Sequence, residues 1–314
     1  MADRPKAFVV TTIPPDLRTA LAQRCDLVDR DAAGGWPAQP APGFRVAATT
    51  SMAGFDARML DALPDLEIVI CNGAGLDRID LAAARARNVA ICHTPDELAD
   101  DVGEAVIALT YAVMRRVAEA DRFVRSGRWS KERMTASTRV FGKTMGIVGL
   151  GRIGSRAAGL AQGIGMKVLY HGRRPRSGVS YPFIADLSDL ARQADVLVLS
   201  CPAGDATRNL VGKAVLERLG PAGYLINVSR GSVVDEPGLL DALENRTIAG
   251  AGMDVFASEP NLDPRWLRLE NVVLQPHSTS ITHETRAAMI DRLTRDLDAY
   301  QNKRPFHNAA ASSM

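Results

Sequence analysis

A glycine-rich turn lies between a short apolar run and a helical pattern near the middle of the 314-residue chain. Met145–Leu150 is apolar on both faces, as expected of a parallel strand that helices cover on each side. The sequence Gly149-Leu150-Gly151-Arg152-Ile153-Gly154 overlaps its end, and Ile153–Ile164 continues as a helix of small residues. In this position the glycines of G-x-G-x-x-G permit a tight turn, a close approach to a pyrophosphate and close helix–strand packing. We therefore predict a dinucleotide-binding site at this turn.

Short apolar runs alternate with helical patterns along the rest of the chain, which is typical of α/β proteins with parallel sheets. Two series of strands are predicted: Ala7–Val10, Arg45–Ala48, Leu66–Cys71 and Val89–Cys92, and then Met145–Leu150, Lys167–Tyr170, Val196–Leu199, Tyr224–Asn227, Ile248–Asp254 and Val272–Leu274. Between the two series, apolar residues at helical spacing from Val102 to Val124 predict one long helix that ends before Gly127. A final helix is predicted over His283–Tyr300. Because the chain is longer than one ordinary core requires, we expect two domains.

The composition limits the classes of partner and compartment. The net charge of +2 at pH 7, without a run of like charges, predicts neither a nucleic-acid nor a membrane partner. No segment approaches the roughly eighteen apolar residues of a membrane span, and the first residues lack the apolar stretch of a secretory signal. Four cysteines lack C-x-x-C spacing and indicate reduced core thiols: Cys25, Cys71, Cys92 and Cys201. We expect a cytoplasmic globular protein without a bound metal.

A basic segment follows the strand after the glycine turn. In NAD-specific sites an acidic side chain about twenty residues past the turn accepts a hydrogen bond from the ribose 2′-hydroxyl. Here Arg173, Arg174 and Arg176 occupy that segment, and no carboxylate lies among them. Guanidinium groups bind phosphates through charge-assisted hydrogen bonds. We therefore expect NADP(H) in preference to NAD(H), with Arg173 and Arg174 at the 2′-phosphate; a solvated basic loop is the alternative.

Three reactive side chains each follow a predicted strand of the second series: Arg230, Glu259 and His277. Ligands bind at the carboxyl ends of the strands in open α/β sheets, so these side chains can meet at one site. Reduction of a 2-keto acid needs a cation for the carboxylate, a proton donor and a group that holds the donor. The three residues are of the matching types. Each alone also has a structural interpretation, as a surface ion pair, a helix-start carboxylate or a hydrogen-bonded histidine.

Motifs along nearly the whole chain resemble the D-2-hydroxyacid dehydrogenase family, and within it the NADPH-dependent hydroxypyruvate/glyoxylate reductases. These motifs are Asn72-Gly73-Ala74-Gly75-Leu76-Asp77-Arg78-Ile79-Asp80, Thr94-Pro95-Asp96, Gly149–Gly154, Asn227–Asp235, Gly250–Pro260 and Pro276-His277. The resemblance implies two Rossmann-like, doubly wound parallel-sheet domains, with the cofactor domain inserted into the substrate domain. The expected bounds are 1–99 and 284–314 for the substrate domain and 100–283 for the dinucleotide-binding domain. The family is usually homodimeric, and the subunits are joined through the long helix and the arm Arg128–Phe141. Trp129 on this arm would either reach the partner's active site or only pack within the interface.

The resemblance also implies the roles of individual residues. Arg230, Glu259 and His277 form the expected catalytic triad. The expected substrate contacts are Met52, Ala74, Gly75, Arg230 and His277. The expected cofactor contacts are Gly149, Gly151, Arg152, Ile153, Gly154, Arg173, Arg174, Cys201, Pro202, Thr207, Val228, Ser229, Asp254 and His277, of which Asp254 would face the nicotinamide carboxamide. Thr279 departs from the family pattern, which usually has glycine there.

The implied reaction is the NADPH-dependent reduction of a small 2-keto acid, of the glyoxylate or hydroxypyruvate type, to the D-2-hydroxy acid. In it protonated His277 donates to the carbonyl oxygen, Arg230 binds the carboxylate, and Glu259 favours the imidazolium. Two alternatives stay open: a dehydrogenase of the same family with a bulkier 2-hydroxy acid substrate, and a co-repressor-like scaffold that binds NAD(P). A formate-type dehydrogenase is disfavoured because its reaction needs no acid–base pair.

Overall fold

A computed structural model describes residues 4–31, 35–36 and 40–311. The chain divides into two compact units: Met1–Leu98 with Thr282–Met314, and Ala99–Ile281. The second unit is inserted between the two segments of the first. The predicted bounds of 1–99, 284–314 and 100–283 lie close to this division, and the roles assigned to the two domains stay predictions. Residues 1–3, 32–34, 37–39 and 312–314 of the predicted substrate domain lie outside the described residues.

The first unit contains a five-stranded parallel sheet with the strand order β2-β1-β3-β4-β5. The strands are β1 (Lys6–Val9), β2 (Asp26–Asp29), β3 (Phe44–Thr50), β4 (Ile68–Asn72) and β5 (Ala90–Cys92). The helices are α1 (Pro15–Ala22), α2 (Ala57–Ala62), α3 (Leu81–Ala86) and, from the end of the chain, α10 (His283–Gln301). Successive residues of the central strands enter two separate apolar clusters, one on each face of the sheet. Helices therefore cover both faces, which explains why these strands are apolar throughout.

The second unit contains a six-stranded parallel sheet with the strand order β11-β10-β9-β8-β6-β7. The strands are β6 (Thr144–Val148), β7 (Lys167–His171), β8 (Val196–Leu199), β9 (Tyr224–Asn227), β10 (Gly250–Met253) and β11 (Val272–Leu274). The helices are α4 (Ala99–Met114), α5 (Val117–Arg125), α6 (Arg152–Gly163), α7 (Leu187–Gln193), α8 (Lys213–Leu219) and α9 (Glu236–Glu244). Short 3₁₀ helices span Arg128–Ser130, Asp205–Thr207, Gly231–Val233 and Pro264–Arg268. The wholly parallel sheets confirm the predicted α/β class.

The strand order of the second sheet determines where a ligand can bind. From β6 the chain proceeds to β7 on one side and then returns to β8 on the other side. The loops that follow β6 and β8 therefore leave the sheet in different directions at its carboxyl edge. Such a switch point opens a crevice in which doubly wound sheets bind their ligands. The glycine-rich turn follows β6 and so lies at this crevice.

One predicted element is wrong, and one strand was not predicted. The predicted long helix is interrupted at Arg116, whose φ of 54° is left-handed and ends a right-handed helix. The carbonyl of Met114 accepts a hydrogen bond from the N–H of Thr138 at 2.9 Å, and the guanidinium of Arg116 pairs with Glu119 at 2.6 Å. The edge strand β2 was not predicted because its sequence, Asp-Leu-Val-Asp, has a carboxylate at each end and none of its residues is fully buried.

The cysteines are free thiols, three of them buried and Cys201 partly buried. Burial raises the pKa of Cys25 and of Cys201 to about 11, so both stay protonated at neutral pH. Among the described residues, no group of three or more His, Cys, Asp or Glu side chains is arranged to hold a metal ion. No helix in the described part of the chain is long and apolar enough to cross a membrane.

Candidate active site

The glycine-rich turn between β6 and α6 leaves little room for side chains at its first and last glycine. Gly149 has a φ of 94°, and a Cβ there would lie 2.6 Å from the Cα of Cys201. A Cβ on Gly154 would overlap the carbonyl oxygen of Gly149. A Cβ on Gly151, by contrast, would meet nothing within 4 Å. The open space therefore lies in front of the N-terminus of α6, where the N–H groups of a helix can bind a pyrophosphate.

Other predicted cofactor residues lie at the ends of neighbouring elements. Arg152 and Ile153 form the first turn of α6, and Cys201 packs against the glycine turn. Beyond β8, the hydroxyl of Thr207 donates to the carbonyl of Pro202 at 2.9 Å. The contacts of these residues with a cofactor stay predictions. Ser200 was not predicted as a site residue; its hydroxyl donates at 2.9 Å to the carbonyl of Gly149 and fixes the turn.

The basic segment after β7 contains arginines in two different situations. The guanidinium of Arg176 donates to the carbonyl of Leu150 and, at 2.9 Å, to the hydroxyl of Ser155. It ties the segment to the glycine turn, and in this it differs from the two other arginines of the segment. Arg173 and Arg174 are exposed, and neither side chain has a hydrogen bond or ion pair within the described part of the chain. Their guanidinium groups are available to a ligand.

Glu259 and His277 form a hydrogen-bonded pair. Nδ1 of His277 lies 2.8 Å from Oε2 of Glu259, and the backbone N–H of Phe256 donates to Oε1 at 2.8 Å. The side chain of Glu259 is 15 % exposed and that of His277 is 23 % exposed. Burial alone would raise the pKa of Glu259, but hydrogen bonds from His277 and Phe256 and the charges of His277 and Arg230 together lower it. An ionised carboxylate only accepts hydrogen bonds, so Nδ1 carries a proton and Nε2 is left to exchange one with a ligand.

Arg230 follows β9 in a turn that the side chain of Asn227 organises. The buried Asn227 donates to the carbonyl of Arg230 at 3.1 Å, and its Oδ1 accepts hydrogen bonds from the N–H of Ser229 at 3.0 Å and from its hydroxyl at 2.8 Å. The guanidinium of Arg230 donates to the carbonyl of Ser229 at 2.8 Å. This role of Asn227 was not predicted from the sequence. An amide at the end of an otherwise apolar, buried strand was the available signal.

A glycine brings the arginine turn close to the glutamate segment. A Cβ on Gly231 would overlap the backbone carbonyl of Phe256. The backbone after Arg230 and the backbone before Glu259 can therefore approach each other only because residue 231 is glycine. The charge of Arg230 contributes to the lowered pKa of Glu259. The structure thus brings the three predicted catalytic residues together within the second unit.

Asp254 holds the backbone that carries His277. Its carbonyl accepts from the N–H of His277 at 2.9 Å, and its carboxylate accepts from the N–H of Ser278 at 2.7 Å and from the hydroxyl of Thr279 at 2.6 Å. Asp254 is only 1 % exposed. His277 has a φ of 52°, a left-handed conformation that costs a non-glycine residue about 1–3 kcal/mol. The bonds to Asp254 offset this cost, and its predicted contact with a nicotinamide carboxamide stays a prediction.

The remaining predicted site residues lie at the ends of strands in their own units. In the first unit, Met52 follows β3 and is 42 % exposed. Ala74 and Gly75 follow β4, and the carbonyl of Ala74 lies 3.0 Å from Nδ1 of His93. In the second unit, Val228 follows β9 and is buried together with the serine after it. Their contacts with substrate or cofactor stay predictions.

Comparisons with known proteins identify the family of the chain. Residues 107–279 match the family described as "D-isomer specific 2-hydroxyacid dehydrogenase, NAD binding domain". The chain is 40 % identical to hydroxyphenylpyruvate reductase of Plectranthus scutellarioides, with 85 % of each chain covered. It is 41 % identical to a glyoxylate/hydroxypyruvate reductase of Arabidopsis thaliana, with 82 % of each covered.

A solved structure is similar over almost the whole chain. It is the NADPH-dependent glyoxylate/hydroxypyruvate reductase of Sinorhizobium meliloti in complex with NADP and malonate. The two chains are 35 % identical and match with a TM-score of 0.91 over 98 % of each. The resemblance inferred from the motifs is confirmed, and the chain belongs to the D-isomer specific 2-hydroxyacid dehydrogenase family.

Proposed function

We propose that this chain is an NADPH-dependent reductase that converts a small 2-keto acid, of the glyoxylate or hydroxypyruvate type, into the D-2-hydroxy acid. The observation that carries the proposal is the Glu259–His277 hydrogen bond of 2.8 Å beside Arg230. Carbonyl reduction requires a positioned proton donor and a cation where negative charge develops. Membership of a dehydrogenase family and the reductase names of the three relatives support the same reaction.

In the proposed mechanism, each catalytic side chain has a separate task. A bound nicotinamide cofactor supplies the hydride. His277 donates the proton of Nε2 to the carbonyl oxygen of the substrate, while its Nδ1–H stays bonded to ionised Glu259. This charge-assisted hydrogen bond stabilises the imidazolium. Arg230 binds the substrate carboxylate and polarises the carbonyl, so the charge that develops on oxygen is next to a fixed cation. In the reverse reaction, neutral His277 accepts the proton.

The preference for NADPH is assigned to the segment after β7. We propose that Arg173 and Arg174 bind the 2′-phosphate through charge-assisted hydrogen bonds. Their exposure and the absence of partners within the described residues support this role. Arg176 supports them indirectly, because its hydrogen bond to Ser155 fixes the segment to α6.

Further proposals concern the two units and the assembly. The second unit binds the dinucleotide, and backbone N–H groups of Ala74 and Gly75 in the first unit bind the substrate carboxylate. The protein is a cytoplasmic homodimer joined through α4, α5 and the arm Arg128–Phe141. Exposed apolar side chains on this arm support the dimer: Trp129 is 61 % exposed and Phe141 67 %.

A panel of 2-keto acids tests the proposed activity against its alternatives. Initial rates are measured with glyoxylate, hydroxypyruvate and hydroxyphenylpyruvate, each with NADPH and with NADH. We expect the highest kcat/KM with NADPH and one of the two small acids. A higher value with the aromatic acid would support the alternative of a bulkier substrate, which the name of the Plectranthus relative favours. Binding of NADPH, followed by fluorescence, without oxidation by any of the acids would support the scaffold instead.

A further inference from the structure

We infer that Thr279 is a positioning residue for proton transfer: through Asp254, its hydroxyl holds the backbone conformation in which His277 is presented. The inference rests on the proposed role of His277 as the proton donor. Among the hydrogen bonds of the described residues, Thr279 has none to Glu259 or to the histidine ring, so its action is indirect.

Asp254 binds three consecutive residues of the histidine turn. Its backbone carbonyl accepts from the N–H of His277 at 2.9 Å, and Oδ1 accepts from the N–H of Ser278 at 2.7 Å. Oδ2 accepts from the hydroxyl of Thr279 at 2.6 Å. Asp254 and Thr279 are both buried. Within the described residues, the hydroxyl of Thr279 is the hydrogen-bond donor to Oδ2 of Asp254.

The burial of this carboxylate makes each donor important. A buried charge requires compensating hydrogen bonds. If one donor is removed, the carboxylate oxygen that it served has neither water nor a protein group as a partner. Without the hydroxyl of Thr279, the carboxylate of Asp254 can rotate toward another donor. Rotation would lengthen the bond from Oδ1 to the N–H of Ser278, which lies next to the histidine.

The backbone of His277 would respond because it is held in an unfavourable conformation. Its φ of 52° is left-handed, and a non-glycine residue keeps such a conformation only where its surroundings enforce it. Asp254 accepts hydrogen bonds from the backbone of His277 and Ser278. Glu259 is hydrogen-bonded to Nδ1 of the His277 ring at 2.8 Å. If the backbone relaxes, the ring can no longer satisfy Glu259 and present Nε2 to a substrate in the same orientation. The side chain of Thr279 thus links a buried carboxylate to the geometry of the proton donor.

Two substitutions distinguish the effect of the Thr279 hydroxyl from the effect of the side chain's volume. Thr279→Val keeps the shape and removes the donor, whereas Thr279→Ser keeps the donor and removes a methyl group. We expect Thr279→Val to lower kcat for the reduction of hydroxypyruvate about tenfold or more, with KM for the acid changed by less than about threefold. Thr279→Ser should keep kcat within about threefold of the native value.

A spectroscopic readout tests the positioning without any turnover. The Nδ1–H of His277, hydrogen-bonded to Glu259, is observed by proton NMR and assigned through its loss in His277→Gln. We expect its resonance to move or broaden in Thr279→Val and to keep its position in Thr279→Ser. This measurement needs no substrate, so it distinguishes failure of this inference from failure of the proposed reductase activity.

Equal behaviour of the two variants would overturn the inference. If Thr279→Val and Thr279→Ser have the same kcat and leave the His277 resonance in place, the hydroxyl does not position the histidine. Thermal unfolding by circular dichroism shows whether each variant is folded. If Thr279→Val does not fold, Thr279→Ala replaces it, because alanine removes the same hydroxyl without placing a methyl group against Oδ2. The comparison with Thr279→Ser then decides in the same way.

Discussion

Replacement of His277 by glutamine is expected to lower kcat for keto-acid reduction by about 10²–10⁴-fold, the usual contribution of a positioned general acid. Glutamine can keep a hydrogen bond to Glu259, but it cannot donate a proton to the developing alkoxide at neutral pH. KM for NADPH should change little because the proposed phosphate contacts lie elsewhere. The measurement is steady-state oxidation of NADPH with hydroxypyruvate, followed at saturating concentrations of both substrates.

An exposed histidine provides the matched control for this variant. His283 is the first residue of α10 and is exposed, so His283→Gln makes the same chemical change outside the site. We expect His283→Gln to retain native kcat. If folded His277→Gln also stays within a few-fold of the native enzyme, the proton comes from another group and the assignment of His277 is wrong.

The second large effect is expected on cofactor choice. Replacement of both Arg173 and Arg174 by glutamine should raise KM for NADPH by about a hundredfold, since each charge-assisted contact to a phosphate is worth about 1.5–3 kcal/mol. KM for NADH should change by less than about threefold, because NADH has no 2′-phosphate. Both values come from initial rates with one saturating 2-keto acid. The ratio of the two KM values is the informative quantity.

A control substitution distinguishes a local contact with the 2′-phosphate from an effect of the protein's overall charge. Arg218→Gln removes an exposed positive charge from α8 in the same unit. It should leave the preference for NADPH unchanged. Equal increases of KM for NADPH and NADH in the double variant would show that the two arginines do not recognise the 2′-phosphate.

Much of the fold was predictable from local patterns. Buried parallel strands are apolar runs because helices cover both faces of each sheet, and the glycine turn was recognisable because it needs glycine at fixed spacing. The exceptions were elements whose form depends on distant partners. The helix break at Arg116 accompanies a hydrogen bond from Thr138 to Met114, more than twenty residues along the chain. The edge strand β2 forms by pairing with β1 despite carboxylates at both of its ends.

The residue types of the site were predictable, but the contacts that position them were not. Arg230, Glu259 and His277 have the residue types that carbonyl reduction needs, and the resemblance to the family assigned them to one triad. The function of Arg176 could not be separated from that of its neighbours, because only the fold brings it to Ser155. The bond between Thr279 and Asp254 likewise joins residues 25 positions apart. Such contacts depend on how separate loops meet at the carboxyl edge of a sheet.

The pH dependence of the native enzyme in both directions tests the central claim most directly. The lowered pKa of Glu259 keeps this carboxylate ionised at neutral pH, so in the proposed mechanism the proton that reaches the substrate comes from His277. Reduction needs the imidazolium, and oxidation of the D-2-hydroxy acid needs neutral histidine. We predict that kcat/KM for keto-acid reduction falls between about pH 6 and pH 9 while kcat/KM for oxidation rises. A reduction rate that stays constant across this range would contradict proton donation by His277.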